Sequence, residues 1–112
     1  MEARITRQDG VMNVAVEGEI NTLTAPSLAE KLADLGGVSQ LIFELERVPY
    51  VSSAGLRLFL ACQRAMNASG GDMRLRGCSG FMREIFESVG YDRIMKLEPT
   101  EAAGGEDAET KQ

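Results

Sequence analysis

Leu41-Ile42-Phe43-Glu44-Leu45 is an almost unbroken apolar run, and it gives way after a short loop to Leu56, Phe59, Leu60 and Met66 at helical spacing. The first pattern reads as a buried strand and the second as a helix with one apolar stripe. Between them stand two hydroxyls, Ser52-Ser53, followed by Ala54-Gly55. A strand that is apolar throughout needs cover, so the chain is committed to a sheet with helices laid over it.

The flanking sequence extends this strand–helix unit in both directions. Residues 3–8 and 11–17 read as a hairpin: Val11, Val14 and Val16 are β-branched, and Asp9-Gly10 is a strong turn signal between the strands. A helix is expected from near Thr24, a plausible cap, with Pro26 tolerated in its first turn. Leu28, Leu32 and Leu35 supply its stripe and Gly36-Gly37 its stop. After a strand at 39–45, a loop at 46–52 and a helix over about 53–68, Ser69-Gly70-Gly71-Asp72 turns the chain. Met73 to Gly77 reads as a short strand with one wet face, marked by Arg74 and Arg76. Ser79 is a cap for a third helix with apolar positions Phe81, Met82, Ile85, Phe86 and Val89, stopped by Gly90. Ile94-Met95-Lys96-Leu97 is a candidate last strand.

The order ββαβαβα, with a possible final β, predicts an α/β fold: a mixed sheet of four to five strands with about three helices packed mainly on one face. From Glu98 onward the sequence is polar, acidic and without periodicity, which predicts a disordered tail over 98–112.

Composition removes most chemistry. The chain has 112 residues, 44% hydrophobic and 26% charged, as expected of one globular domain. Its net charge of −5 and lack of a basic stripe argue against nucleic acid as a partner. No stretch of about 18 apolar residues suggests a membrane span, and no basic-then-apolar segment opens the sequence, so a cytoplasmic protein is expected. Histidine is absent, which removes the usual general base and the commonest transition-metal ligand. Cys62 and Cys78 lack zinc-like spacing and read as buried, reduced thiols. Neither Gly36-Gly37 nor Gly70-Gly71 has the spacing of a nucleotide cradle. No metal and no cofactor are expected.

Ser52 and Ser53 have an ordinary reading as a helix cap, and Gly55 as the residue that lets the helix start pack near a strand. Arg57 and Arg64 read as solvated. The position is nevertheless suited to a phosphate, because free N–H groups and the helix dipole face outward there.

Taken as a whole, Val48-Pro49-Tyr50-Val51-Ser52-Ser53-Ala54-Gly55-Leu56-Arg57 closely resembles the signature of the STAS domain, best known in bacterial anti-sigma factor antagonists. Gly18-Glu19-Ile20-Asn21-Thr22-Leu23-Thr24-Ala25 resembles the family's other marked segment, in the same order and at about the same spacing. The resemblance spans roughly residues 3–97 and implies a STAS-like domain over 1–97. It implies a non-enzymatic antagonist that binds an anti-sigma factor of the serine-kinase type. Phosphorylation at Ser53 would switch it off, and a cognate phosphatase would reverse this. Partner contacts are then expected at Asn21, Thr22, Thr24, Ser52, Ser53, Ala54, Gly55 and Arg57. Ser52 stands where the family usually has an acidic residue, and Asn21 where many members carry Asp. An alternative is a STAS structural subunit, for instance beside the ATPase of a bacterial lipid-transport system. An enzyme with Ser53 as nucleophile would need a base such as Lys31 or Lys96, and the sequence places neither nearby.

Overall fold

The computed structural model describes residues 1–99 and contains nine elements in chain order. They are β1 (Glu2–Gln8), β2 (Val11–Glu17), α1 (Ala25–Lys31), β3 (Gln40–Arg47), α2 (Ser53–Ser69), β4 (Asp72–Cys78), α3 (Gly80–Ser88), a 3-10 turn (Tyr91–Arg93) and β5 (Lys96–Pro99). The five strands lie in the order β1-β2-β3-β4-β5, with β1 antiparallel to β2 and the other pairs parallel. Asp9 (φ 53°) and Gly10 (φ 82°) make the hairpin turn in the left-handed conformation that such a turn requires.

From β2 onward each new strand is added on the same side of the last. Right-handed crossovers in one unreversed direction put every helix on the same face. That face holds the core: Val14, Leu41, Phe43 and Leu75 from the sheet, Leu28 from α1, Phe59 and Met66 from α2, Met82 and Phe86 from α3, all at most 1% exposed. Phe43, Phe59 and Phe86 meet edge to face in sequence, at centroid separations of 5.0 and 5.8 Å, and Tyr91 stacks on Phe86 at 6.2 Å. This aromatic column ties β3, α2 and α3 together.

The opposite face is open and polar. Asn13 donates to Glu44 (2.9 Å), Arg76 reaches both Glu44 (3.4 Å) and Glu98 (3.3 Å), and Arg74 reaches Glu98 (3.3 Å). Lys96 donates to Asp72 at 2.8 Å. The wet face expected from Arg74 and Arg76 is thus one part of a charge ladder running from β2 to β5.

Four expectations need correction. The first helix stops at Lys31, not at Gly36-Gly37, because Asp34 Oδ1 takes the Gly36 N–H (2.9 Å) and the Leu35 carbonyl takes the Val38 N–H (3.1 Å). A carboxylate two residues before its donor competes with the helix ladder. The strand expected over 39–45 runs to Arg47. In α3, Phe81 and Val89 are exposed: Met82 and Phe86 occupy the inward line, Phe81 lies about 100° off it, and Val89 has left the helix. Finally, the last strand starts at Lys96, not at Ile94, and includes Glu98 and Pro99, whose polar context predicts a place in the tail. Glu98 is held there by Arg74 and Arg76. The remainder of the tail, residues 100–112, lies outside the described residues.

Candidate functional site

The two marked segments meet at the C-terminal end of the parallel sheet. Beyond β2, residues 18–20 continue beside the segment that follows β3: Gly18 N–H donates to the Arg47 carbonyl (3.0 Å) and Ile20 N–H to the Tyr50 carbonyl (3.0 Å). Ser52 N–H then donates to the Ile20 carbonyl (2.8 Å), and Ile20 and Val51 form an isolated parallel bridge. Both side chains are almost fully buried. Two stretches about thirty residues apart are therefore one rigid backbone unit.

Ser52 and Ser53 do different work. Ser52 is the N-cap of α2, with extended ψ (177°), and its half-buried hydroxyl accepts from Gly55 N–H at a long 3.4 Å. Its carbonyl accepts the Leu56 N–H (2.9 Å), the first bond of the helix. Ser53 occupies the first helical position and is exposed, and its hydroxyl makes no hydrogen bond among the described residues. No acidic residue sits in the first turn of α2, so the outward N–H groups face solvent without a carboxylate nearby in the helix.

Gly55 is required by space, not by its backbone angles. A Cβ there would lie 2.7 Å from Val51 Cγ1, 2.8 Å from Ile20 Cγ2 and 3.1 Å from the Ile20 carbonyl oxygen. The close approach of α2 to the Ile20–Val51 bridge, expected from the sequence, is what this glycine permits. From the far side, the Tyr91 hydroxyl donates to the Leu56 carbonyl (2.9 Å), fixing the same first turn.

The Asn21–Thr24 turn is closed from within. Asn21 Oδ1 accepts from Leu23 N–H (2.9 Å) and Thr24 N–H (3.0 Å), while Thr24 Oγ1 accepts from Asn21 N–H (2.9 Å) and donates to the Glu19 carbonyl (2.8 Å). Thr24 is at the N-cap position of α1 as expected, but it caps no helix amide with its side chain. The Asn21 amide donates to Glu19 Oε1 at 3.2 Å, a contact that an aspartate at this position would turn into repulsion.

The residues singled out in the sequence thus divide. Thr22, Ser53 and Arg57 are exposed, Asn21, Thr24, Ser52 and Ala54 are half-buried, and Gly55 is buried. Of the candidate bases, Lys96 is bound to Asp72 on the open face and Lys31 closes α1; neither contacts Ser53. Sequence reading passed over Ile20, whose backbone joins the segments, and the flanking side chains Leu23 and Tyr50. Its one signal was a lone large apolar residue between Glu19 and Asn21. Among the described residues no group of three His, Cys, Asp or Glu side chains is placed to hold a metal, and no helix is long and apolar enough to cross a membrane. Cys62 and Cys78 are buried free thiols, each pushed up to about 11 by burial.

A single-faced α/β domain with an exposed serine at a strand–helix junction has clear relatives. The family model of the STAS domain matches residues 2–104, and the chain belongs to that family. It is 33% identical to the anti-sigma-B factor antagonist of Staphylococcus aureus over 94 residues, 82% of this chain and 87% of that protein. Its fold matches the anti-sigma factor antagonist SpoIIAA in its unphosphorylated form (TM-score 0.73, 20% identity, 96% of both chains). It also matches the Bacillus cell fate determinant SpoIIAA in the phosphorylated form (TM-score 0.71, 22% identity, 96% of this chain and 99% of that one).

Proposed function

We propose that this protein is an anti-sigma factor antagonist, and that phosphorylation of Ser53 by a partner serine kinase releases it from the anti-sigma factor. The observation that carries the reading is the asymmetry of the serine pair. Ser52 is engaged in the cap, whereas Ser53, exposed on the first helical position, has a hydroxyl with no hydrogen bond among the described residues. The likeness to an anti-sigma-B factor antagonist along 82% of the chain supports the partner class.

The switch follows from charge. A phosphate adds about −1.5 to −2 charges at neutral pH. At the N-terminus of α2 the fold accommodates it, the dipole favouring an anion by about 0.3–1 kcal/mol. A partner surface shaped for a neutral hydroxyl instead meets a large desolvated anion, and like-charge contact at an interface costs several kcal/mol. Each 1.4 kcal/mol is about tenfold in affinity. Binding is therefore lost while the domain stays folded. Ser52 and Asn21 are both neutral, which lowers the charge that the added phosphate meets within the protein itself.

Incubation with the cognate kinase and ATP, followed by mapping of the phosphate by mass spectrometry, tests the assignment. Phosphate on Ser53, and none on a Ser53→Ala variant, is expected; phosphate that persists in that variant contradicts it. Stable co-purification with an ATP-binding-cassette protein would contradict the antagonist role.

A further inference from the structure

We propose that Leu23 is the apolar anchor by which this protein docks its anti-sigma partner, on a surface shared with Glu19 and Tyr50; this rests on the antagonist reading above. At 86% exposure Leu23 is the most exposed large apolar side chain among the described residues. Single exposed leucines are common and need no explanation. Two observations set this one apart.

First, its backbone is fixed in advance. The Leu23 and Thr24 amides are both held by Asn21 Oδ1, and Thr24 Oγ1 is held between the Asn21 amide and the Glu19 carbonyl. A leucine at the tip of such a turn contributes no packing to the fold, but a partner that covers it gains apolar burial without ordering the loop. Second, the turn is bonded to the switch. Three residues back, Ile20 is joined by its N–H to Tyr50 and by its carbonyl to Ser52, the neighbour of Ser53. These backbone bonds keep the turn, the 43%-exposed Tyr50 and Ser53 close to one junction.

Charge selects the occupant. Glu17 and Glu19 are exposed on the approach to the turn, and Asn21 Nδ2 holds the Glu19 carboxylate in place. Arg4, Lys31 and Arg47 lie beside Glu17, which leaves Glu19 as the carboxylate next to Leu23, and a second copy related by a two-fold axis would bring two such carboxylates together. What fits is a protein surface with an apolar pocket flanked by a cationic side chain.

The test is calorimetric titration against the anti-sigma factor that the unmodified full-length chain captures. Leu23→Ser is expected to weaken binding at least tenfold with an unchanged melting temperature, and Leu23→Met to restore it to within threefold. Ile94→Ser, another exposed apolar position (49%), is expected to bind within twofold of the parent. Binding by Leu23→Ser within twofold of the parent overturns the anchor while leaving the antagonist reading intact. Leu23-dependent self-association in sedimentation, or Leu23-dependent binding to phosphatidylglycerol vesicles, overturns it equally. If the parent captures no anti-sigma factor, the antagonist reading itself falls.

Discussion

The amide of Ser52 donates to the carbonyl of Ile20 at 2.8 Å, so the residue that caps α2 is also the residue that joins the two loops into one backbone unit. A disturbance at either loop is transmitted through this bond and the adjoining Ile20–Val51 bridge. The consequences can be measured one residue at a time.

Gly55→Ala introduces a methyl 2.7 Å from Val51 Cγ1 and 3.1 Å from a backbone oxygen, and the neighbours cannot both withdraw. Overpacking of this kind costs about 1–3 kcal/mol. Urea denaturation is expected to show a lower midpoint with an unchanged slope.

The two serines separate by stability. Ser52→Ala removes an N-cap and is expected to cost about 0.5–1 kcal/mol, the low end of the range because the cap bond is long. Ser53→Ala touches no hydrogen bond within the described residues and is expected to stay within about 0.5 kcal/mol of the parent. Thermal melts of the two variants check this, and equal losses would remove the assigned division of roles.

Asn21→Ala deletes the acceptor for two turn amides and is expected to destabilise by about 1 kcal/mol. Asn21→Asp keeps that acceptor but sets a second carboxylate beside Glu19, 3.2 Å from the present amide nitrogen. Its penalty should shrink as salt is added, since it arises from exposed like charges. Denaturation in low and high salt distinguishes the two variants.

On the open face, the hydrogen bond from Lys96 holds the Asp72 carboxyl below its ordinary value of 3.8. A carboxylate with a depressed folded pKa stabilises above its unfolded value, and that contribution is lost as pH falls through the folded one. The parent should therefore lose stability in this acid window, and Asp72→Asn should lose less there while being slightly weaker at neutral pH. The group is exposed, so the effect is small. Identical acid limbs for both proteins would contradict the pairing.

The thiols offer a chemical check on the core. With Cys62 and Cys78 pushed from 9.0 to about 11, the thiolate fraction at pH 8 falls roughly a hundredfold, before burial slows access further. Alkylation by iodoacetamide should be slow in the native protein and rapid in urea for both residues.

Local signals in the sequence carried much of this structure. Asp9-Gly10 marked a turn that needs two left-handed residues, and Ser79 with Gly90 bracketed α3 closely because caps act over one helical turn. The misreadings arose where a neighbour outside the segment decided the outcome. Asp34 holds the chain out of the helix at Gly36 through a side-chain bond that periodicity does not register, and Glu98 became part of β5 because two arginines from β4 wait on the open face. At the site, Ser52, Ser53 and Gly55 were legible as residue types, and the space that Gly55 vacates was foreseeable. Ile20 was not, because its function lies in a backbone ladder to residues thirty positions away, and hydrogen bonds of that kind leave no side-chain pattern. Asn21 also closes its own turn, a bond pattern that its residue type alone does not disclose.

The central claim is that a phosphate on Ser53 separates this domain from its anti-sigma factor without unfolding it. Titration of the purified anti-sigma factor with the unmodified and the Ser53-phosphorylated protein tests it most directly. A loss of affinity of about a hundredfold or more, corresponding to about 3 kcal/mol, is expected with an unaltered far-ultraviolet spectrum. Affinities within threefold of each other would contradict the account.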